Sequence, residues 1–86
     1  MRASKLVAWH LRRLRVAKDL SQEALAVDAG VDRSFVGRIE RGLENPTVET
    51  LEKFSKVLGV QPYELLLPLK ANEKAPDTLR RGRKKR

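Results

Sequence analysis

Eighty-six residues, 41% of them hydrophobic, suffice for one compact domain with one core. With no cysteine and one histidine, His10, the chain lacks the ligands for disulfide staples or a zinc centre, and no cofactor or small-molecule ligand is expected. The formal charge of +8 favours a polyanion partner, but residues 70–86 hold eight Lys/Arg against Glu73 and Asp77 (net +6), which leaves residues 1–69 at only +2.

Periodicity predicts a first helix over residues 4–18, with Val7, Leu11, Leu14 and Lys18 on one face and Ser4 as N-cap. His10, Arg12 and Arg13 interrupt this stretch, so it does not read as a signal peptide. No apolar run reaches the ~20 residues of a membrane span, and a cytoplasmic protein is expected. A second helix is predicted over 22–29 after Ser21, with Leu25, Ala26 and Ala29 inward and Gly30 closing it. Asp32 is placed to cap a third, 33–41, whose inward face is Val36 and Ile39. The stretch Leu43-Glu44-Asn45-Pro46 reads as a loop. Thr47 caps a fourth helix, 48–58, stopped by Gly59. Pro62 opens a short fifth, 62–67, and Pro68 ends it. Residues 70–86 contain one large apolar residue, Leu79, among many charges and read as a basic, disordered tail to a 1–69 domain. The expected architecture is an all-α, five-helix domain.

The informative feature is the pair of short helices at 22–29 and 33–41. Gln22, Leu25, Ala26, Gly30, Val36 and Ile39 stand in order at the spacing of a helix-turn-helix. Ala26 is small where the next helix crosses it, and Gly30 permits the sharp turn. Spacing of this kind also occurs at ordinary corners of helical bundles. The outward face of the second helix distinguishes the two readings. Asp32, Arg33, Ser34, Gly37, Arg38 and Arg41 are short or basic, a face that can enter a major groove and offer donors to base edges.

The stretches LRRLRVAKDLSQEALAVDAGV, DRSFVGRIERG and NPTVETLEKFSKVLGV resemble the phage-repressor and Cro-like helix-turn-helix family, also called the xenobiotic-response-element family of regulators. The segment DRSFVGRIERG is also similar to the small controller proteins of restriction–modification systems. The resemblance covers residues 6–67 and implies a lambda-repressor-like domain that binds double-stranded DNA as a homodimer. It implies that Gln22 bonds a phosphate, that Arg33, Ser34 and Arg38 read bases, and that Arg41 and Asn45 clamp the backbone. It further implies a structural bridge between Arg15 and Glu40, and a dimer contact around Tyr63, Leu66 and Leu67. For Asp32, capping is expected ahead of accepting a bond from cytosine. The solvated-charge reading stays open for Arg41, as does that of two unrelated surface charges for Arg15 and Glu40.

Gly37 lies mid-helix, where glycine costs up to about 1 kcal/mol relative to alanine. As a DNA-facing position it either allows close approach to a sugar or methyl group or is simply tolerated, and a base contact from it stays open. Trp9 and Val16 face away from Val7, Leu11 and Leu14, and Trp9 is expected to be covered by the chain around Leu67 and Leu69 or in an oligomer. His10 reads as an exposed, solvated histidine, and Ser34 has no base at a telling spacing, so an enzyme is not expected. The tail LRRGRKKR would add non-specific affinity for phosphate or enter a minor groove. The rival to a transcriptional regulator is a protein-interaction module, such as an antitoxin with secondary DNA binding.

Overall fold

A computed structural model describes residues 2–69. The expected tail at 70–86 therefore lies outside the described residues. Within them the chain forms α1 (Ala3–Ala17), α2 (Gln22–Ala29), α3 (Arg33–Glu40) and α4 (Val48–Leu58), followed by a 3-10 turn at Pro62–Leu66. The expected fifth α-helix is this 3-10 turn. Its five residues start at Pro62 and end two before Pro68, too short a span for repeated i to i−4 bonds. The Glu64 amide bonds the Gln61 carbonyl at 2.9 Å, and the Gln61 amide donates to the Glu64 carboxylate at 3.1 Å.

Side-chain caps form where a hydroxyl precedes the helix. Ser21 Oγ accepts from the Ala24 amide at 2.9 Å, and Thr47 Oγ1 from the Thr50 amide at 3.1 Å. The two other expected caps do not form. Ser4 is already inside α1, which begins at Ala3 with the Arg2 carbonyl accepting its first bonds. Asp32 occupies the N-cap position of α3 with extended backbone, but its carboxylate makes no capping bond. The Phe35 amide that it would receive instead bonds the Asp32 carbonyl oxygen at 3.1 Å.

Leu11, Leu25, Val36, Ile39, Phe54 and Leu65 are completely buried and join all four helices and the 3-10 turn in one core. Ala26, 2% exposed, is the small residue beneath the α2–α3 crossing. Gly30 turns between these helices at φ +74°, and the Val31 amide closes back on the Ala26 carbonyl at 2.9 Å. On α1 the buried stripe is Val7, Ala8, Leu11 and Arg15; Lys18, expected on that face, is exposed at the C-cap. His10 also departs from expectation, being buried. Its Nε2 lies 2.9 Å from the Leu67 carbonyl, and Arg13 Nη2 donates to Nδ1 at 3.2 Å. The segment leaving the 3-10 turn thus folds back over α1, bringing Leu67 to His10. Neighbouring Trp9 is half-buried, edge-on to His10, with the Arg13 guanidinium 5.5 Å from its ring centroid.

Candidate nucleic-acid interface

The outer face of α3 is polar and open. Arg33, Ser34, Arg38 and Arg41 are exposed, as are Asp32 before the helix and Asn45 beyond it. Arg33 occupies the first helical position, where a cation opposes the helix dipole by about 0.3–1 kcal/mol, so helix stability does not explain it. Neither Arg33 nor Arg41 has an ion pair among the described residues. Gly37, in contrast, is buried on this side of α3. The Gln22 and Arg41 side chains converge over it: a Cβ there would lie 3.6 Å from Gln22 Oε1 and 3.8 Å from Arg41 Nη1. That is ordinary contact distance, so the glycine is not required by space within the isolated chain.

A buried network holds α3 from behind. Arg15 Nε donates to Glu40 Oε2 at 2.6 Å and Arg15 Nη2 to Oε1 at 2.9 Å, a two-pronged ion pair between α1 and α3. The remaining prong, Nη1, donates to the Leu20 carbonyl at 2.8 Å, which ties the α1–α2 connection into the same site. Gln22 Nε2 donates to Glu40 Oε1 at 3.1 Å. Arg12 Nε stands 3.6 Å from that oxygen, close enough for charge attraction but with no hydrogen bond. Glu40 therefore receives groups from both helices that flank α3. The exposed residues Arg33, Ser34 and Arg38 are carried on a helix whose orientation this carboxylate helps to set.

At the other end of α3, Gly42 adopts φ +74°, and the Gly42 and Leu43 amides bond the Ile39 and Arg38 carbonyls, each at 2.9 Å. This turn sends the chain back along the outer face, where Arg38 Nε donates to Glu44 Oε2 at 2.6 Å. Helical spacing does not reveal that pair. The two residues are six apart, and only the left-handed glycine between them makes them neighbours. The sequence signal would have been an acid just past a helix-ending Arg-Gly. Arg12 was also missed as a neighbour of Glu40.

Tyr63, Leu66 and Leu67, the expected dimer contacts, are exposed on and just after the 3-10 turn, whose Leu65 is buried in the core. They lie on different elements from α3.

The Helix-turn-helix family pattern matches residues 11–65, more than half of the chain. The chain belongs to this family. It is a xenobiotic-response-element-like helix-turn-helix protein, and its relatives are transcriptional regulators. A hypothetical transcription factor from Neisseria meningitidis serogroup B is 43% identical over 63 residues, covering 73% of this chain but only 59% of that protein. The control protein C.BamHI from Bacillus amyloliquefaciens is 44% identical over 62 residues, covering 71% of this chain and 76% of the relative. Among solved structures, SinR, the master regulator for biofilm formation, in complex with DNA, superposes with a TM-score of 0.68 at 39% identity, over 70% of this chain and 97% of that one. The matched range includes α2 and α3, and no helix among the described residues is long and apolar enough to cross a membrane.

Proposed function

We propose that this helix-turn-helix protein is a sequence-specific regulator of transcription in the prokaryotic cytoplasm, acting as a homodimer on a pseudo-palindromic DNA operator. The observation that carries this reading is the contrast between the two sides of α3. Its back is fixed by the buried Arg15–Glu40 pair, and its front presents Arg33, Ser34 and Arg38 to solvent. A rigid helix with exposed forked donors suits the major groove, where an arginine can give two bonds to O6 and N7 of one guanine. The similarity to SinR, whose structure contains DNA, supports the same placement.

Gln22, Arg41 and Asn45 flank this face and set the register by meeting backbone phosphates. Asp32 carries no capping bond, so its exposed carboxylate is available to a base-edge donor such as the amino group of cytosine. Gly37 lies under the Gln22 and Arg41 side chains and presents no side chain of its own to the groove, which lets a sugar or methyl group of the DNA come close.

Tyr63, Leu66 and Leu67 supply an apolar patch for a second copy. A two-fold dimer presents two α3 helices to half-sites about one helical turn apart, roughly 34 Å. Binding of Arg33→Ala to a panel of single-base operator variants is the direct test. Preference should relax at one base position by about 1–3 kcal/mol. An equal fall in affinity on operator and random DNA would show that Arg33 reads no base.

A further inference from the structure

We propose that Glu44 determines specificity by positioning Arg38: it leaves the arginine free for a guanine while opposing its use on a phosphate. This rests on the DNA-reading role of α3 given above. Arg38 Nε donates to Glu44 Oε2 at 2.6 Å, on the exposed face that carries Arg33 and Ser34. The two side chains keep 44% and 30% of their surface open, so the pair is accessible to DNA. The turn that delivers Glu44 is fixed by the bonds from the Gly42 and Leu43 amides into the last turn of α3.

The chemistry of the guanidinium explains what this contact selects. Arginine has five N–H donors in a planar fork, one on Nε and four on the terminal nitrogens. Glu44 occupies the Nε donor. Only the end-on fork remains, and that edge can match O6 and N7 of a guanine with two parallel bonds. A base pair read this way leaves the Arg38–Glu44 contact intact. A phosphate is different. An arginine swinging to the DNA backbone must leave Glu44, or carry the carboxylate with it toward a row of negative charges.

Glu44 thus weighs against loose backbone binding more than against the specific complex. An exposed acid on a DNA-facing surface otherwise only weakens binding. Discrimination is the gain that offsets this weakening.

The test uses the full chain with Glu44→Ala and Glu44→Gln, titrated against an operator duplex and a scrambled duplex at several salt concentrations. For Glu44→Ala, affinity for the scrambled duplex should rise up to about fivefold, the range of an exposed pair. Operator affinity should stay level or fall, so the specificity ratio drops by about the same factor. The salt slope on the scrambled duplex should steepen by about one as Arg38 joins the phosphate contacts. Preference for guanine at the Arg38 position should flatten. Glu44→Gln keeps an acceptor for Nε without the charge and should retain that guanine preference. Thermal unfolding of both variants should match the parent, since residue 44 lies in a loop.

Equal tightening on both duplexes would overturn the inference, because Glu44 would then be a mere competitor with DNA. Unchanged affinities would overturn it as well. A parent chain that does not distinguish the duplexes would overturn the DNA-reading role itself, and this inference with it.

Discussion

Replacing Glu40 with glutamine removes the charge at the centre of the buried network while nearly preserving its shape. Arg15 is 2% exposed and gives two of its donors to the Glu40 oxygens and one to the Leu20 carbonyl. Glutamine offers one acceptor oxygen where the carboxylate offers two. One Arg15 prong would face an amide N–H, and the guanidinium would keep its charge without a counter-charge, with Arg12 Nε also nearby. Breaking a buried pair in this way costs about 3–5 kcal/mol. A domain of this size has roughly 4–10 kcal/mol in total, so the variant should be marginal. At about 4–8 °C per kcal/mol, the thermal midpoint should fall by more than about 12 °C, read by circular dichroism and checked by urea titration. A loss below about 1 kcal/mol would show that Arg15 reaches water and that the pair does not hold α3. The double variant Arg15→Met, Glu40→Leu separates stability from orientation. Apolar replacement of both partners should restore much of the stability. DNA affinity should stay low, because packing alone does not orient α3 as two directed bonds do. Parent-like DNA binding by that variant would refute the positioning role.

Gly37→Ala should stabilise the domain by about 0.4–1 kcal/mol in thermal unfolding. The added Cβ meets only ordinary contacts at 3.6 and 3.8 Å and removes unfolded-state freedom; a lowered midpoint would mean that the Gln22 and Arg41 side chains cannot accommodate a methyl group. Gly42→Ala should destabilise by about 1–2 kcal/mol in the same assay, because φ is +74° there and a Cβ would come within 3.0 Å of Lys5 Cδ and Nζ. The Lys5 side chain can move, so the backbone strain dominates, and a neutral result would mean that the turn can rearrange. Ser21→Ala and Thr47→Ala should each cost about 0.5–2 kcal/mol, whereas Asp32→Ala should cost less, since only the first two side chains cap. Equal losses at all three positions would contradict that difference. Leu66→Glu should leave the domain folded but shift sedimentation equilibrium toward monomer and weaken operator binding; an unchanged association state would remove this patch from the dimer interface.

The α2–α3 unit was legible because its determinants are local. A small residue under a crossing, a glycine at the turn and apolar positions at helical spacing can all be read along the chain. On α4 the same spacing points to Val48, Leu51, Phe54 or Ser55, and Leu58; the last four are buried, but Val48, in the first turn, is 75% exposed because no neighbouring element reaches that end of the helix's apolar stripe. Caps were only half legible: Ser21 and Thr47 cap as their hydroxyls suggest, but Asp32 holds a capping position without the capping bond. A residue type at an N-cap does not reveal which acceptor the amide will take. The fifth helix differs in kind from the expectation, since a five-residue turn that starts on Pro62 and is closed off by Pro68 favours 3-10 bonding. His10 was misread as solvated because its cover comes from Leu67, 57 residues away. The Arg15–Glu40 contact spans 25 residues and was suggested by family resemblance, not by spacing. The Arg38–Glu44 pair escaped because a left-handed turn lies between its members.

Base reading by α3 of a two-fold dimer, as proposed, rests on Arg33 and Arg38. The most direct measurement is selection of bound duplexes from a random DNA pool at a stated salt concentration, run with the parent chain and with Arg33→Ala and Arg38→Ala. The parent should enrich an inverted repeat with half-sites about one helical turn apart. Each variant should lose preference at one base position per half-site and keep the rest. Enrichment of no motif, or of one that both variants leave unchanged, would contradict base reading by α3.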